Sequence, residues 1–410
     1  MKLEFFLAKR IIGSKAYKSS ISSPIIKIGI TAISISVIVM LISISTGIGL
    51  QSEIKNKISS FHGDIIISNY DSNNSKESSK SIKIDDSLIV SIINKKNVKL
   101  INRVANKFGI IRTLNDFDGV IFKGIDSLYN WNLISKYIIK GSPIKISSNP
   151  SNKVVISNKL SKRLNIGHEE SFQMIFSDIR NAKTVIRKFE VVGIYESGFN
   201  EIDENLIFGD IFHLKKINKW GLDEFGELEV FVNNFDEIDN TLKDIYIDTP
   251  SNLKSYSIKD KFASMFDWIS IFDKNIYAII FIMLIVSSIN IISVLLIIIL
   301  EKTNMIGILK SMGASNFQIK NIFLINVSYL ILVGLLIGNI LGLLLLYIQK
   351  TYKLIKLDPE IYYASSVPVS INFETVILLN IFTFVICLLS ILIPSYIISK
   401  ISPIKSIKFQ

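Results

Sequence analysis

One cysteine, Cys387, stands in 410 residues, so no disulfide can close within the chain, and cysteine supplies no metal or redox site. Histidine is almost as scarce. His62, His168 and His213 are scattered and no H-E-x-x-H pair occurs, which excludes the usual zinc hydrolase. No glycine is followed by lysine, so there is no Walker A loop and the chain does not bind ATP by that route. Charge is missing altogether from Ile28 to Ile48, Asn275 to Leu300, Asn321 to Gln349, and Thr375 to Ser399. With no ionisable group inside these stretches, the proton or sodium relay of a secondary transporter is also absent. Ser34, Ser36, Ser43 and Ser45 lie in the first stretch without a base to activate them, and read as helical hydroxyls rather than nucleophiles.

Each uncharged stretch has about 20 residues or more, enough at 1.5 Å per residue to cross roughly 30 Å of hydrocarbon. Four such helices are foreign to a soluble core, and the sequence is that of a polytopic membrane protein. The first stretch ends in Ser45-Thr46-Gly47-Ile48-Gly49 and lacks an A-x-A cleavage site, so it reads as a signal anchor and not a cleaved peptide.

The formal net charge is +11. Residues 51–270 are nearly neutral, with 30 basic and 29 acidic side chains, so the excess lies beside the spans. Lys2, Lys9, Arg10, Lys15, Lys18 and Lys27 precede the first; Lys302, Lys310 and Lys320 lie between the second and third; Lys400, Lys405 and Lys408 follow the fourth. The positive-inside rule then predicts that both termini and the 301–320 loop are cytoplasmic. Lys350, Lys353 and Lys356 go against the rule, though Asp358 and Glu360 follow them. The basic balance reports topology, and no nucleic-acid partner is needed to explain it.

In the loop between the second and third spans, Met305, Ile308, Leu309 and Met312 recur at i, i+3, i+4 and i+7, one face of a short helix. Gly313 offers a stop and Ser315 with Gln318 a capping box for the next helix. An apolar face there suits either docking on a cytosolic partner or lying on lipid, and periodicity leaves both open. In the third span Gly334, Gly338 and Gly342 form a small-xxx-small stripe for close helix packing.

Between the first two spans, Gln51 to Phe61 continues helically with Ile54, Ile58 and Phe61 on one face. Strands are expected at 64–69, 154–157, 172–176, 189–195 and 229–232, helices at 159–164 and 236–246, and a polar linker at 69–81. Residues 257–268 lead helically back to the membrane. The fold class is therefore a polytopic α-helical membrane protein with four transmembrane helices and one inserted α+β extracytoplasmic domain. The expected layout is an elbow helix at 1–23, spans at 24–50, 272–300, 319–349 and 374–399, the inserted domain with helical stalks at 51–271, the cytoplasmic loop at 301–318, an outer loop at 350–373 and a cytoplasmic tail at 400–410.

Several local sequences, together with this organisation, resemble the lipoprotein-releasing permeases of the LolC/LolE family, within the MacB/FtsX-type (type VII) ABC permeases. They are Phe6-Leu-Ala-Lys-Arg and Ser23-Pro24-Ile25, Gly49-Leu-Gln-Ser-Glu-Ile with Phe61-His-Gly-Asp-Ile, and Glu190-Val-Val-Gly-Ile-Tyr-Glu-Ser-Gly. The most specific is Glu301-Lys-Thr-Asn-Met-Ile-Gly-Ile-Leu-Lys-Ser-Met-Gly-Ala-Ser. Leu357-Asp-Pro-Glu-Ile-Tyr-Tyr and Ile393-Pro-Ser-Tyr with Ile401-Ser-Pro-Ile-Lys complete the set.

The resemblance implies a MacB-like periplasmic core domain and an inner-membrane permease subunit that is not itself an enzyme. It would pair with a second permease, the same chain or a homologue, and with a separate dimer of cytosolic ATPases that holds the ATP and Mg, so this chain binds no cofactor. Glu301, Lys302, Met305, Ile306, Gly307, Ile308, Leu309, Lys310, Met312 and Gly313 become the ATPase-coupling segment. A lipoprotein would enter laterally between spans, past Met40, Ile44, Ile48, Ile276, Ile279 and Met283, and leave for a periplasmic lipoprotein chaperone. One departure is visible. Where some members carry a long chaperone-recruiting hook, only Ser177-Asp-Ile-Arg-Asn-Ala-Lys-Thr-Val fills the gap. An FtsX-like mechanotransmitter and a MacB-like efflux permease remain the alternatives.

Overall fold

The structure, a computed structural model, describes residues 22–70, 77–78, 80–113, 116–147, 149–178, 183–392 and 394. The expected elbow helix, the tail at 400–410 and the middle of the polar linker lie outside the described residues. The chain divides into a membrane unit (through Gln51, Trp268–Lys356, and from Ser366 on) and a sheet unit (Ser52–Asp267 with Leu357–Ser365).

Chain order is simple. Helix α1 (Ser22–His62) is followed by β1 (Ile65–Asn69), α2 (Asp86–Ile93), β2 (Val98–Arg112), β3 (Phe117–Ile125), β4 (Ile138–Gly141) and β5 (Lys153–Ser157). Next come α3 (Asn158–Leu164), β6 (Ser171–Asp178), β7 (Lys183–Tyr195), α4 (Asn200–Asn205), β8 (Leu206–Asp210), α5 (Ile211–Asn218) and β9 (Glu227–Val232). The sheet unit ends with α6 (Ile238–Asp248), β10 (Leu253–Ser257) and α7 (Ile258–Lys261). Then α8 (Ala263–Glu301), α9 (Thr303–Ser311), α10 (Asn316–Tyr352), α11 (Pro359–Tyr362) and α12 (Phe373–Ser390) follow. Four of these helices, the long ones, are long and apolar enough to cross a membrane. Three overrun their uncharged stretches, reaching 41, 39 and 37 residues.

Glycine sets the packing of the membrane unit. Gly334, Gly338 and Gly342 of α10 lie against Ile33, Val37 and Leu41 of α1, four residues apart on both helices, so the two run parallel in fixed register. A Cβ on Gly338 would stand 2.8 Å from the Val37 Cβ and 2.9 Å from the Ser34 carbonyl oxygen, a separation only glycine permits. Ser34 Oγ donates across the same seam to the Gly334 carbonyl at 3.0 Å. Helices α1 and α8 run antiparallel, with Gly29 on Val294 and Gly47 on Ile276. That register brings Ser36 opposite Ser287, both almost fully buried. Asn339 and Asn380 exchange amide hydrogen bonds of 2.6 and 3.0 Å between α10 and α12. In lipid such bonds act as glue, since apolar side chains gain little by leaving acyl chains for one another.

The sheet unit is mixed. Strands run in the order β10-β1-β9-β2-β3-β8-β5-β7-β4, and β6 pairs with both β2 and β7. Those last pairings close β2, β3, β8, β5, β7 and β6 into a ring, with β3–β8 and β5–β7 parallel and the rest antiparallel. Closure leaves no free edge among these six strands. Phe122 packs on Phe176 and Phe189 with ring centroids 5.6 and 5.1 Å apart. Every strand expected from the sequence is present, each within two residues at its ends except β7, which begins six residues before the expected 189; the helices at 159–164 and 236–246 also match within two residues.

Candidate coupling site

Helix α9 is placed by its ends. Thr303 Oγ1 donates to the Ile299 and Leu300 carbonyls at 3.1 and 2.7 Å, bonding the helix start back onto α8. At the other end Gly313 N donates to the Lys310 carbonyl and Ala314 N to the Leu309 carbonyl, both at 3.0 Å. These are the paired bonds of a Schellman stop, with Gly313 at φ +88°. Two residues later Ser315 caps α10: Gln318 N donates to Ser315 Oγ at 3.2 Å and Gln318 Oε1 accepts from Ser315 N at 2.9 Å. The stop and the box stand where the sequence placed them. Nothing lies within 4 Å of where a Gly313 Cβ would be, so any strain on substitution comes from the backbone alone. Gly313→Ala is expected to cost about 1–2 kcal/mol and Gly313→Asn less, read as the thermal midpoint of the detergent-purified chain.

The apolar face expected at Met305, Ile308, Leu309 and Met312 is divided. Ile306 is fully buried beside Gly307, and Met305 and Leu309 turn half-buried onto the same core, which includes Ile319 and Phe323. Ile308 and Met312 point outward, 55% and 79% exposed, with Leu300 and Phe317 also exposed. The four residues span a broad arc of the helix, and Ile306 draws one flank of that arc inward. Glu301 and Lys302 pair at 2.7 Å at the helix start. Desolvation holds the Lys310 ammonium below the usual lysine range.

Among the other anticipated residues, Met40, Ile44 and Ile276 are buried in the packing of the spans. Ile48 and Met283 are half-buried against that core, and Ile279 is half-buried. Gly47 draws Ile276 so close that a Cβ would meet its Cδ1 at 2.4 Å; within one chain these are packing residues. The small-xxx-small glycines meet α1.

A second arrangement, unassigned by the sequence, receives the end of α1 in the sheet unit. Ile54, Ile58 and Phe61 are fully buried, and the Phe61 ring lies 5.4 Å from those of Tyr137 and Tyr195. Lys123, on β3, donates from Nζ to the Phe61 carbonyl and to Glu229 Oε1 of β9, both at 2.6 Å. Both side chains are at most 2% exposed. Burial pulls the ammonium below its ordinary value and pushes the carboxyl above its own, while their contact opposes both shifts. The cation also meets one of the orphan carbonyls at the negative end of α1. Asp64 continues the junction, accepting from Ser59 Oγ at 2.5 Å and Val232 N at 2.8 Å; burial raises its carboxyl above the usual range.

Leu357–Ser365, expected as part of an outer loop, belongs to the sheet unit. Lys57 Nζ donates to the Tyr363 carbonyl at 2.9 Å, and the Tyr363 and Phe199 rings lie 4.7 Å apart. Burial lowers Lys57 and raises nearby Asp203, whose carboxylate accepts from Ser197 N, Ser197 Oγ and Gly198 N. A lone lysine within Val120-Ile121-Phe122-Lys123-Gly124-Ile125 and a lone glutamate within Leu228-Glu229-Val230 were the available signals for the buried pair.

Residues 277–403, from α8 to beyond α12, match the FtsX-like permease C-terminal family. The matched region takes in most of the second candidate span and all of the third and fourth, so the chain combines four candidate spans with a stretch similar to the C-terminal part of FtsX-like permeases. The chain is 28% identical over 412 residues, 94% of both proteins, to the lipoprotein-releasing system transmembrane protein LolC of Buchnera aphidicola subsp. Schizaphis graminum (strain Sg). It is 27% identical over 428 residues, 99% of both, to an uncharacterized membrane protein of the same organism. To LolC of Xylella fastidiosa (strain 9a5c) it is 20% identical over 236 residues, covering 55% of this chain and 56% of that one. Among solved structures, the extracellular domain of the noncanonic ABC-type transporter YknZ from Gram-positive bacteria aligns with 48% of this chain and 99% of its own, at 15% identity and a TM-score of 0.32. The periplasmic region of MacB from Actinobacillus actinomycetemcomitans aligns with 50% and 92%, at 12% identity and 0.33.

Proposed function

We propose that this chain is the permease subunit of a transporter that draws lipoproteins out of the outer leaflet of the inner membrane for delivery to the outer membrane. The observation that carries the reading is α9, a short helix fixed between two spans with Ile308 and Met312 turned outward, in a chain similar to a LolC protein over nearly its whole length. In this reading both termini and α9 are cytoplasmic, and the sheet unit is periplasmic. A separate ATPase dimer binds the nucleotide, docks on α9, and moves α8 and α10 when it closes.

The work is substantial. At about 0.8 kcal/mol per buried CH₂, one long acyl chain resists extraction by roughly 10 kcal/mol, so both a motor and an acceptor are required. A periplasmic chaperone fits that second role. The outer face of the sheet offers it Ile110, Ile175 and Ile186, which stand in one row across β2, β6 and β7. The short stretch from Ser177 to Val185, which stands where some relatives carry a long hook, has its middle, 179–182, outside the described residues.

The test is reconstitution in liposomes with the co-purifying ATPase and a radiolabelled triacylated lipoprotein. ATP-dependent release of label to a soluble acceptor is expected. ATP hydrolysis with no label leaving the bilayer would replace this reading by mechanotransmission to a periplasmic partner.

A further inference from the structure

Helix α10 does not fray where its apolar run ends; it turns back on itself. The side chain of Gln349, 8% exposed, donates from Nε2 to the carbonyls of Ile355 and Val367 at 3.2 and 3.1 Å. Its Oε1 accepts from Ile355 N at 3.0 Å. Lys353 takes the left-handed conformation that closes the helix, φ 48°, and its N–H returns to the Gln349 carbonyl at 2.9 Å. Val367 N donates to the Ile355 carbonyl at 3.1 Å, and Lys356 bridges Ser366. One amide thus holds a tight turn in which every residue from 350 to 356 is exposed.

What the turn exposes is unusual for a solvated loop. Tyr352, Leu354 and Ile355 are 69%, 67% and 59% exposed, alternating with Lys350, Lys353 and Lys356. The apolar surface continues onto the span through Tyr347, Leu345 and Leu344, which also face outward. No acidic residue occurs from Asn321 to Leu357, so the lysines have no counter-ion on their own segment before Asp358. These three lysines are also the ones that go against the charge rule, an excess the topology does not require.

We propose that the turn 350–356 is a binding surface for anionic phospholipid headgroups. The occupant follows from continuity. The side chains just before the turn face acyl chains, so the turn lies at the level where the headgroups begin. Leu354 and Ile355 enter the acyl boundary, Tyr347 and Tyr352 sit at the headgroup level that suits an amphipathic ring, and the lysines pair with lipid phosphates. Gln349 is the positioning residue, because its three hydrogen bonds point the turn. The site depends on neither the cargo nor the ATPase.

The test uses the full chain with Cys387→Ala and Leu354→Cys, a nitroxide on the new thiol, in vesicles of phosphatidylcholine with or without phosphatidylglycerol. The label is expected to be relaxed by oxygen more than by a water-soluble nickel chelate. Phosphatidylglycerol retained through detergent purification should fall about fivefold for each lysine changed to glutamine at 350, 353 and 356, the equivalent of about 1 kcal/mol per basic residue at an anionic surface. The matching arginine variants should retain it, separating lost charge from lost fold. A label open to the nickel chelate in both vesicles, or retention unchanged in the triple glutamine variant, overturns the proposal.

Discussion

Ile308→Asp combined with Met312→Asp is expected to abolish ATP-driven release while leaving the four spans folded. Both side chains are more than half exposed, so their replacement removes little packing within the chain. Under the proposed docking they are the apolar contacts that α9 and its C-cap have left to offer the ATPase. Burying an aliphatic or methionine side chain contributes about 1.5–3 kcal/mol, and two of them account for a hundredfold or more in affinity. A carboxylate in their place adds a desolvation penalty. The ATPase should cease to co-purify with the double variant, and ATP-dependent release should fall to the level without nucleotide. Ile306→Asp is the contrast, because that side chain is fully buried and its change should reduce the folded yield itself. Full release by a well-folded double variant would move the docking surface elsewhere.

The membrane half of this molecule was legible because its signals are local or uniform. An uncharged run is a span, and Gly313 and the Ser315–Gln318 pair carry their own hydrogen bonds, so they need no tertiary context. Which flank of α9 turns inward was not legible. It depends on Ile319 and Phe323 of another helix, which no periodicity within 303–311 can report. The same limit explains the sheet unit. Strands such as Val154–Ser157 are apolar and stood out, whereas β2 and β3, at 15 and 9 residues among its longer strands, did not. They bury Asn102, Asn106, Lys107 and Lys123, inverting the alternation that betrays a half-buried strand. Polar residues inside a sheet become readable only when the partner that satisfies them, here Glu227 for Asn106 and Glu229 for Lys123, is brought alongside from more than a hundred residues away.

Lys123→Met is expected to be the most destabilising single change in the sheet unit. It leaves the Glu229 carboxylate buried without its cation and strips the Phe61 carbonyl of its donor. Breaking a buried pair from one side costs about 3–5 kcal/mol, because the surviving charge has neither water nor a counter-charge. Adding Glu229→Leu should recover most of that loss, since apolar replacement of both partners removes the desolvation that the pair itself had to overcome. Glu229→Leu alone should be nearly as damaging as Lys123→Met, because it strands the ammonium. Thermal midpoints and limited proteolysis of the purified full chain measure all four proteins. The non-additive pattern matters more than any single value: two damaging single changes with a mild double change identify an electrostatic joint. Three variants of similar, mild stability would show instead that the apolar contacts of Ile54, Ile58 and Phe61 hold the end of α1 by themselves.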